Sequence, residues 1–147
     1  MSRLTHPVRI LLVDDDPTMA GLVCAMLTGQ PIQLTHAQDG NCITQLLAEQ
    51  SFDLALVDLR LPRTSGWEVA DLMRRTVPGL GIYLITALYT EHDFPYEMLT
   101  AVSADGFLLK PIRRNDLLAL LARHQQRAQR QEALPQDGQP LSGSRQI

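Results

Sequence analysis

The stretch RILLVDDDPTM, residues 9–19, contains the clearest structural signal in the sequence. Its first part is a continuous apolar run of strand length, and a strand of this kind is typical of a parallel sheet that is covered on both faces. Three adjacent carboxylates, Asp14, Asp15 and Asp16, follow at once. Their mutual repulsion at the end of a buried strand is costly unless a cation lies beside them. The stretch therefore predicts a buried strand with a cation site at its end.

Strand-like and helix-like segments alternate along the rest of the chain. The strand-like runs are residues 8–13, 32–35, 52–57, 81–85 and 106–109, and the helix-like runs are residues 17–28, 40–49, 67–75, 93–103 and 115–127. Five strands that alternate with five helices predict an α/β fold with a doubly wound, five-stranded parallel sheet. The strand order expected for such a sheet is 2-1-3-4-5.

Composition changes near the end of the chain. Residues 1–127 carry the apolar periodicity of one domain, whereas residues 128–147 are rich in Gln, Pro, Gly and Ser. Such a segment is typical of a flexible tail or linker. No output domain is recognised in the sequence, so the expectation is a stand-alone domain.

Charge and hydropathy exclude several classes of protein. The net charge of −3 provides no basic field for nucleic acid, so direct nucleic-acid binding by this chain is not expected. The apolar runs are too short to cross a bilayer, and no membrane association is expected. The two cysteines, Cys24 and Cys42, lie in helix-like patterns and are expected to be reduced. A cytoplasmic location is therefore predicted.

Chemically useful side chains follow four of the predicted strands. Asp14 and Asp15 follow the first strand, Asp58 the third, Thr86 ends the fourth and Lys110 follows the fifth. The carboxyl ends of parallel strands meet at one edge, and the first and third strands are neighbours in the expected order. Clustered carboxylates are the usual ligands of a magnesium ion, and a carboxylate can also attack a phosphoryl group. The expectation is a magnesium site with an ammonium and a hydroxyl that stabilise transferred oxygens.

The motifs LLVDDDPTM, LALVDLRLPRTSG, YLITA and GFLLKP together resemble the receiver domains of two-component response regulators, over about residues 8–124. The resemblance implies a flavodoxin-like fold and a phosphoryl group accepted on Asp58, with Mg²⁺ or Mn²⁺ as cofactor. The donor would be a sensor histidine kinase or a phosphotransfer protein. Such a domain catalyses only its own phosphorylation and dephosphorylation, so an enzyme acting on an outside substrate is not expected.

The resemblance also implies a role for each residue of the site. Asp15 would be the direct metal ligand, Thr86 and Lys110 would bind the phosphoryl group, and Thr86 and Phe107 would form the conformational switch. The bond before Pro111 is often cis in such domains. Asp16 lies outside the acidic pair, and helix capping is its expected role. The implied metal ligands are Asp14, Asp15, Asp58 and the backbone carbonyl of Arg60.

Two departures from the common pattern bear on output and on phosphoryl lifetime. The span from Thr86 to Lys110 is about two residues longer than in many relatives and contains Pro95. The fourth helix is therefore expected to be short, shifted or mobile. This bears on the usual output surface, where a downstream protein or a second copy would bind the fourth helix, fifth strand and fifth helix. Arg60 and Leu88 occupy positions that tune hydrolysis in the family. A large cation and an apolar group there predict a long-lived phosphoryl group.

Two alternatives remain open from the residues. Asp14, Asp16 and Thr18 also fit the Asp-x-Asp-x-Thr motif of haloacid-dehalogenase-type phosphatases, although that reading gives Asp58 no role and needs a further strand with an acidic pair after Lys110. A pseudo-receiver, an interaction module of the same fold that is never phosphorylated, would have the same sequence pattern. Magnesium binding separates this second alternative from a working receiver.

Overall fold

The computed structural model describes residues 6–87, 92 and 96–133. Five strands of these residues form one parallel sheet: β1 (Val8–Val13), β2 (Ile32–Ala37), β3 (Leu54–Asp58), β4 (Gly81–Thr86) and β5 (Gly106–Leu109). Their order is β2-β1-β3-β4-β5, which confirms the predicted order 2-1-3-4-5. A short antiparallel hairpin that the sequence analysis did not predict, Arg60–Leu61 with Thr64–Ser65, follows β3.

Five helices cover the two faces of the sheet, as predicted. They are α1 (Met19–Met26), α2 (Ile43–Glu49), α3 (Gly66–Thr76), α4 (Tyr96–Ala101) and α5 (Arg114–Ala133). Helices α1 and α5 pack on one face through side chains such as Val23 and Leu120. Helices α2 and α3 pack on the other face, where Ile43 and Met73 are fully buried. The central strands are buried on both sides, as their continuous apolar runs require.

The start of α1 differs from the prediction for Asp16. Helix α1 begins at Met19, and its N-cap residue, Thr18, makes no side-chain capping bond. The Oδ1 atom of Asp16 instead accepts hydrogen bonds from the backbone N–H of Thr18, at 2.9 Å, and from its hydroxyl, at 2.7 Å. Pro17 and Thr18 form a turn before the helical hydrogen bonds begin. Asp16 stabilises this Asx-type turn, which leads into the helix.

Helix α5 continues to Ala133, past the predicted end at about residue 127. Apolar periodicity fades there, but the added residues are mostly Gln, Arg, Ala and Glu, which favour a helix by intrinsic propensity. Helix α4 is short, as predicted, whereas Pro95 lies outside the described residues. The domain limits themselves, residues 1–127 and 128–147, stay a prediction. Within residues 6–87, 92 and 96–133, every helix is too short or too polar to span a bilayer.

Candidate metal centre

Strand register brings together two acids that are far apart in the sequence. Asp14 directly follows β1, and Asp58 is the last residue of β3. Val13 of β1 pairs with Val57 of β3, so the residues that come next in each strand emerge side by side at the carboxyl edge. One carboxylate oxygen from each of Asp14, Asp15 and Asp58 lies within 4.8 Å of the other two. The predicted acidic cluster is present in the structure.

Lys110 reaches this cluster from the end of β5. It follows β5, and its backbone N–H donates to the carbonyl of Thr86 at 2.8 Å, which holds the ends of β4 and β5 together. Its Nζ atom donates to Oδ2 of Asp58 at 2.8 Å and lies 3.5 Å from Oδ2 of Asp14. The bond from Lys110 to Pro111 is cis, as the family resemblance implies. A single ammonium therefore contacts two carboxylates.

The electrostatic balance of the cluster is unfavourable without a further cation. Asp14 is fully buried, and burial together with the charge of Asp58 raises its pKa against the opposing effects of the Asp16 N–H and Lys110. Burial is the largest influence on Lys110 and lowers its pKa, but its hydrogen bond to Asp58 and the charges of Asp14 and Asp58 outweigh burial, so the pKa is raised. Among residues 6–87, 92 and 96–133, three carboxylates face one ammonium in this cluster, which leaves an excess of negative charge.

The donor set fits a magnesium ion. Oδ1 of Asp14 accepts the N–H of Asp16 at 2.9 Å, whereas Oδ2 is buried and has no hydrogen-bond partner among the described residues. A buried carboxylate oxygen without a donor is costly, and a cation would satisfy it. Asp15 is exposed, so the site is open on one side to the water molecules that magnesium usually retains. Carboxylate oxygens are the ligands that this ion prefers.

A cavity of about 440 Å³ opens beside the acids. Asp15, Asp58, Arg60, Ala87 and Lys110 line it, so acidic and basic groups face the same space. The backbone N–H of Arg60 donates to Oδ1 of Asp58 at 2.8 Å, which leaves both Asp58 oxygens hydrogen-bonded, one to Arg60 and one to Lys110. The cavity has room for a small anionic group next to Asp58.

Gly66 lies against the backbone of Asp58, a contact that was not predicted from the sequence. A Cβ atom added at Gly66 would collide with the carbonyl of Asp58 and with Cα of Leu59. Gly66 is the first residue of α3, and the capping box of Ser65 and Glu68 fixes the start of that helix. The sequence feature that could have predicted this contact is a glycine between a strand end and a helix start, because two backbone segments often approach closely at such a position.

The residues of the predicted switch lie on β4 and β5. Thr86 is buried at the end of β4 and pairs with Leu109. Phe107 is half-buried, and its ring meets that of Tyr96 edge-on, with centroids 5.6 Å apart and planes at 69°. Helix α4 thus contacts β5 through an aromatic pair. Leu88, predicted to tune hydrolysis, lies outside the described residues.

Comparison with known proteins agrees with this geometry. The family model described as "Response regulator receiver domain" matches residues 10–122. Response regulator MprA of Mycolicibacterium vanbaalenii is 33% identical over 90% of this chain and 54% of its own length, and the probable transcriptional regulatory protein SilR of Salmonella typhimurium is 32% identical over 76% and 48%. This chain spans about half the length of these curated relatives.

Two solved structures show the same fold. A signal receiver domain from Vibrio parahaemolyticus is 28% identical, with a TM-score of 0.76 and coverage of 86% of this chain and 95% of that one. A CheY-like receiver domain from Methanospirillum hungatei has a TM-score of 0.75 at 24% identity, over 86% of this chain and 99% of that one. At this level of identity the comparison shows a shared fold and nothing more.

Proposed function

The chain belongs to the response regulator receiver domain family, whose members accept phosphoryl groups in two-component signalling, and we propose that in this chain the acceptor is Asp58. The observation that carries the proposal is the contact of Lys110 with Asp58 at 2.8 Å inside a cluster of three carboxylates. Asp58 is the member of the cluster that both lines the open cavity and contacts the ammonium.

Each side chain has a role in the proposed transfer. A carboxylate oxygen of Asp58 attacks phosphorus, a P–O bond forms, and the bond from phosphorus to the donor breaks, with its electron pair leaving on the donor. Lys110 neutralises negative charge beside the reacting oxygens, and Thr86 donates a hydrogen bond to one of them. The donor is the phosphohistidine of a sensor histidine kinase or phosphotransfer protein, so the broken bond is P–N.

Asp14, Asp15, Asp58 and the backbone carbonyl of Arg60 would hold the magnesium ion. Bound there, Mg²⁺ supplies positive charge that offsets the repulsion between the carboxylates and the incoming phosphoryl oxygens. The N–H of Arg60 orients the Asp58 carboxylate, since it already donates to Oδ1 at 2.8 Å. The N–H of Asp16 does the same for Asp14.

Output passes through Thr86 and Phe107 in this proposal. Thr86 moves towards the phosphoryl group, Phe107 turns inward, and the edge-on contact with Tyr96 transmits the change to α4. Phe107 carries no hydroxyl, so its effect depends on packing. A downstream protein, or a second copy of the chain, then binds the face formed by α4, β5 and α5. Arg60, which lines the cavity beside Asp58, shields the phosphoryl group from water and prolongs its lifetime. The sequence predicts the same role for Leu88, which lies outside the described residues.

Phosphorylation from a small-molecule phosphodonor tests the proposal. Wild type is expected to shift on a phosphate-affinity gel only when Mg²⁺ is present, and Asp58→Ala is expected to show no shift. Asp71→Ala is the matched control, because Asp71 is an acid of α3 that pairs with Arg75 outside the cluster, and it is expected to shift like wild type. Absence of any shift in wild type would favour the pseudo-receiver alternative.

The phosphatase alternative receives less support. It assigns the nucleophile to strand one and gives Asp58 no role, yet Asp58 lies within the acidic cluster. In the described residues after Lys110 the chain forms α5 and no further strand with an acidic pair. A shift that survives in Asp58→Ala but is lost in Asp14→Ala would revive this alternative.

A further inference from the structure

His36 contacts the backbone of the acidic cluster from the neighbouring strand. Its Nε2 atom lies 2.7 Å from the carbonyl oxygen of Asp14. A carbonyl oxygen only accepts hydrogen bonds, so Nε2 carries the hydrogen and donates. The structure thus places a histidine against a residue of the candidate metal centre.

The hydrogen bond from His36 takes the place of a backbone hydrogen bond that strand β2 does not provide at this position. Strand β2 ends at Ala37, and the backbone N–H of Asp14 donates to the carbonyl of Ala37 at 3.0 Å. Beyond Ala37 the chain leaves the sheet, so β2 provides no further backbone N–H for the carbonyl of Asp14. The imidazole of His36 occupies that place. An acceptor that would otherwise lack a partner at the end of the strand is thereby satisfied.

Together with two other hydrogen bonds, the contact with His36 fixes the position of Asp14. Its N–H donates to Ala37, its carbonyl accepts from His36, and Oδ1 of its carboxylate accepts from the N–H of Asp16. Only Oδ2 remains without a hydrogen bond among the described residues, and it lies within the group of three carboxylates. Fixing the backbone on both sides of Cα fixes the direction in which this oxygen points.

We propose that His36 is a positioning residue that raises the affinity of the acidic cluster for a divalent cation by orienting Asp14. The inference rests on the proposed function, in which Asp14 is a metal ligand. Groups that hydrogen-bond to metal-ligating residues fix the orientation of those ligands, and their loss typically lowers metal affinity by 10- to 100-fold. The contact here is to the ligand's backbone, so the low end of that range is expected.

Titration calorimetry with Mg²⁺ alone, on the full chain, tests the inference. His36→Leu removes the donor and is expected to raise the Kd for Mg²⁺ about tenfold. His36→Gln places an amide nitrogen the same number of bonds from Cβ and is expected to restore a Kd close to that of wild type. His124→Leu makes the same chemical change beside Gly81, at the opposite edge of the sheet, and is expected to leave the Kd unchanged.

Thermal unfolding without metal separates positioning from stability. A purely structural role would lower the Tm of His36→Leu while the folded protein bound Mg²⁺ like wild type, and that result would overturn the inference. Equal weakening in His36→Gln and His36→Leu would also overturn it, because the hydrogen bond would then not be the cause. Failure of wild type to bind Mg²⁺ would overturn the proposed function, and this inference with it.

Discussion

At the scale of the residue, Lys110 is the main source of positive charge beside the acids in the described part of the chain. Lys110 contacts both Asp14 and Asp58, and no other side-chain cation in the described part of the chain forms an ion pair with either. Its ammonium can stabilise charge on a transferred phosphoryl group, but it also repels a metal ion in the same cluster. Phosphorylation and metal binding should therefore respond differently to its removal.

Lys110→Met is expected to slow phosphorylation of Asp58 about 100-fold, the loss typical when one stabilising group is removed from a transition state. Mg²⁺ affinity should stay equal or increase, because a nearby positive charge is lost. Phosphorylation time courses and calorimetry measure the two effects. Lys110→Arg, which keeps the charge, is the control and should lose less rate. Wild-type rates in Lys110→Met, or weakened Mg²⁺ binding, would contradict the assigned role.

Asp14→Asn should have opposite effects on stability and on metal binding. Without metal at neutral pH, the substitution removes a buried charge, one of whose oxygens has no hydrogen-bond partner among the described residues, so the free energy of unfolding should rise by about 1 kcal/mol. Mg²⁺ affinity should fall, since a ligand charge is lost. Denaturant unfolding in a chelator and calorimetry provide the two readings. A less stable Asp14→Asn protein would show that the charges of the acidic cluster are already balanced without metal, which would contradict the prediction.

At the scale of the element, strand ends were predictable and backbone contacts were not. The apolar runs and the polar residues at their ends are sufficient to predict that Asp14, Asp58, Thr86 and Lys110 lie at one edge of the sheet. The contact of Gly66 with the backbone of Asp58 could not be derived, because it depends on how α3 approaches β3. The end of α5 was also missed, because that part of the helix depends on propensity rather than on apolar periodicity.

Gly66→Ala tests the close approach of α3 to the phosphoacceptor. The added methyl group would meet backbone atoms that cannot rotate away, so stability should fall by about 1–3 kcal/mol and phosphorylation of Asp58 should slow. Gly21→Ala in α1 is the matched control, since a Cβ there meets nothing within 4 Å. It should be neutral or stabilising by up to about 1 kcal/mol, as alanine favours a helix. Denaturant unfolding would compare them, and equal stability of the two variants would contradict the close approach.

At the scale of the whole molecule, the two edges of the sheet differ in their electrostatics. Among the described residues, acids are in excess at the carboxyl edge, whereas Asp53 and Asp105 at the amino edge pair with arginines. Asp53 accepts hydrogen bonds from the backbone N–H and the guanidinium of Arg9. Asp105 pairs with Arg74 of α3 and Arg127 of α5, at 3.2 and 2.8 Å. Ion pairs thus stabilise the edge that lies away from the proposed chemistry.

The Arg9–Asp53 pair gives a pH dependence with a defined sign. Burial is the largest influence on Asp53 and raises its pKa, but the hydrogen bonds and charge of Arg9 outweigh burial and leave the pKa lowered. A carboxyl group whose pKa is lower when folded stabilises the protein above its unfolded pKa, and this contribution is lost as the pH falls through the folded value. Asp53→Asn should therefore be less stable than wild type at pH 7, and the difference should shrink below about pH 4. Unfolding across this pH range measures it, and a constant difference would contradict the pair's role.

Mapping the phosphorylated residue tests whether Asp58 is the phosphoacceptor. Phosphorylated protein would be treated with borohydride, which reduces an aspartyl phosphate to homoserine, and then mapped by peptide mass spectrometry. We expect homoserine at position 58 in wild type treated with phosphodonor and Mg²⁺, and none when the metal is chelated. Homoserine at position 14 or 15, or modified protein without any reduced aspartate, would contradict the assignment of Asp58 as the phosphoacceptor.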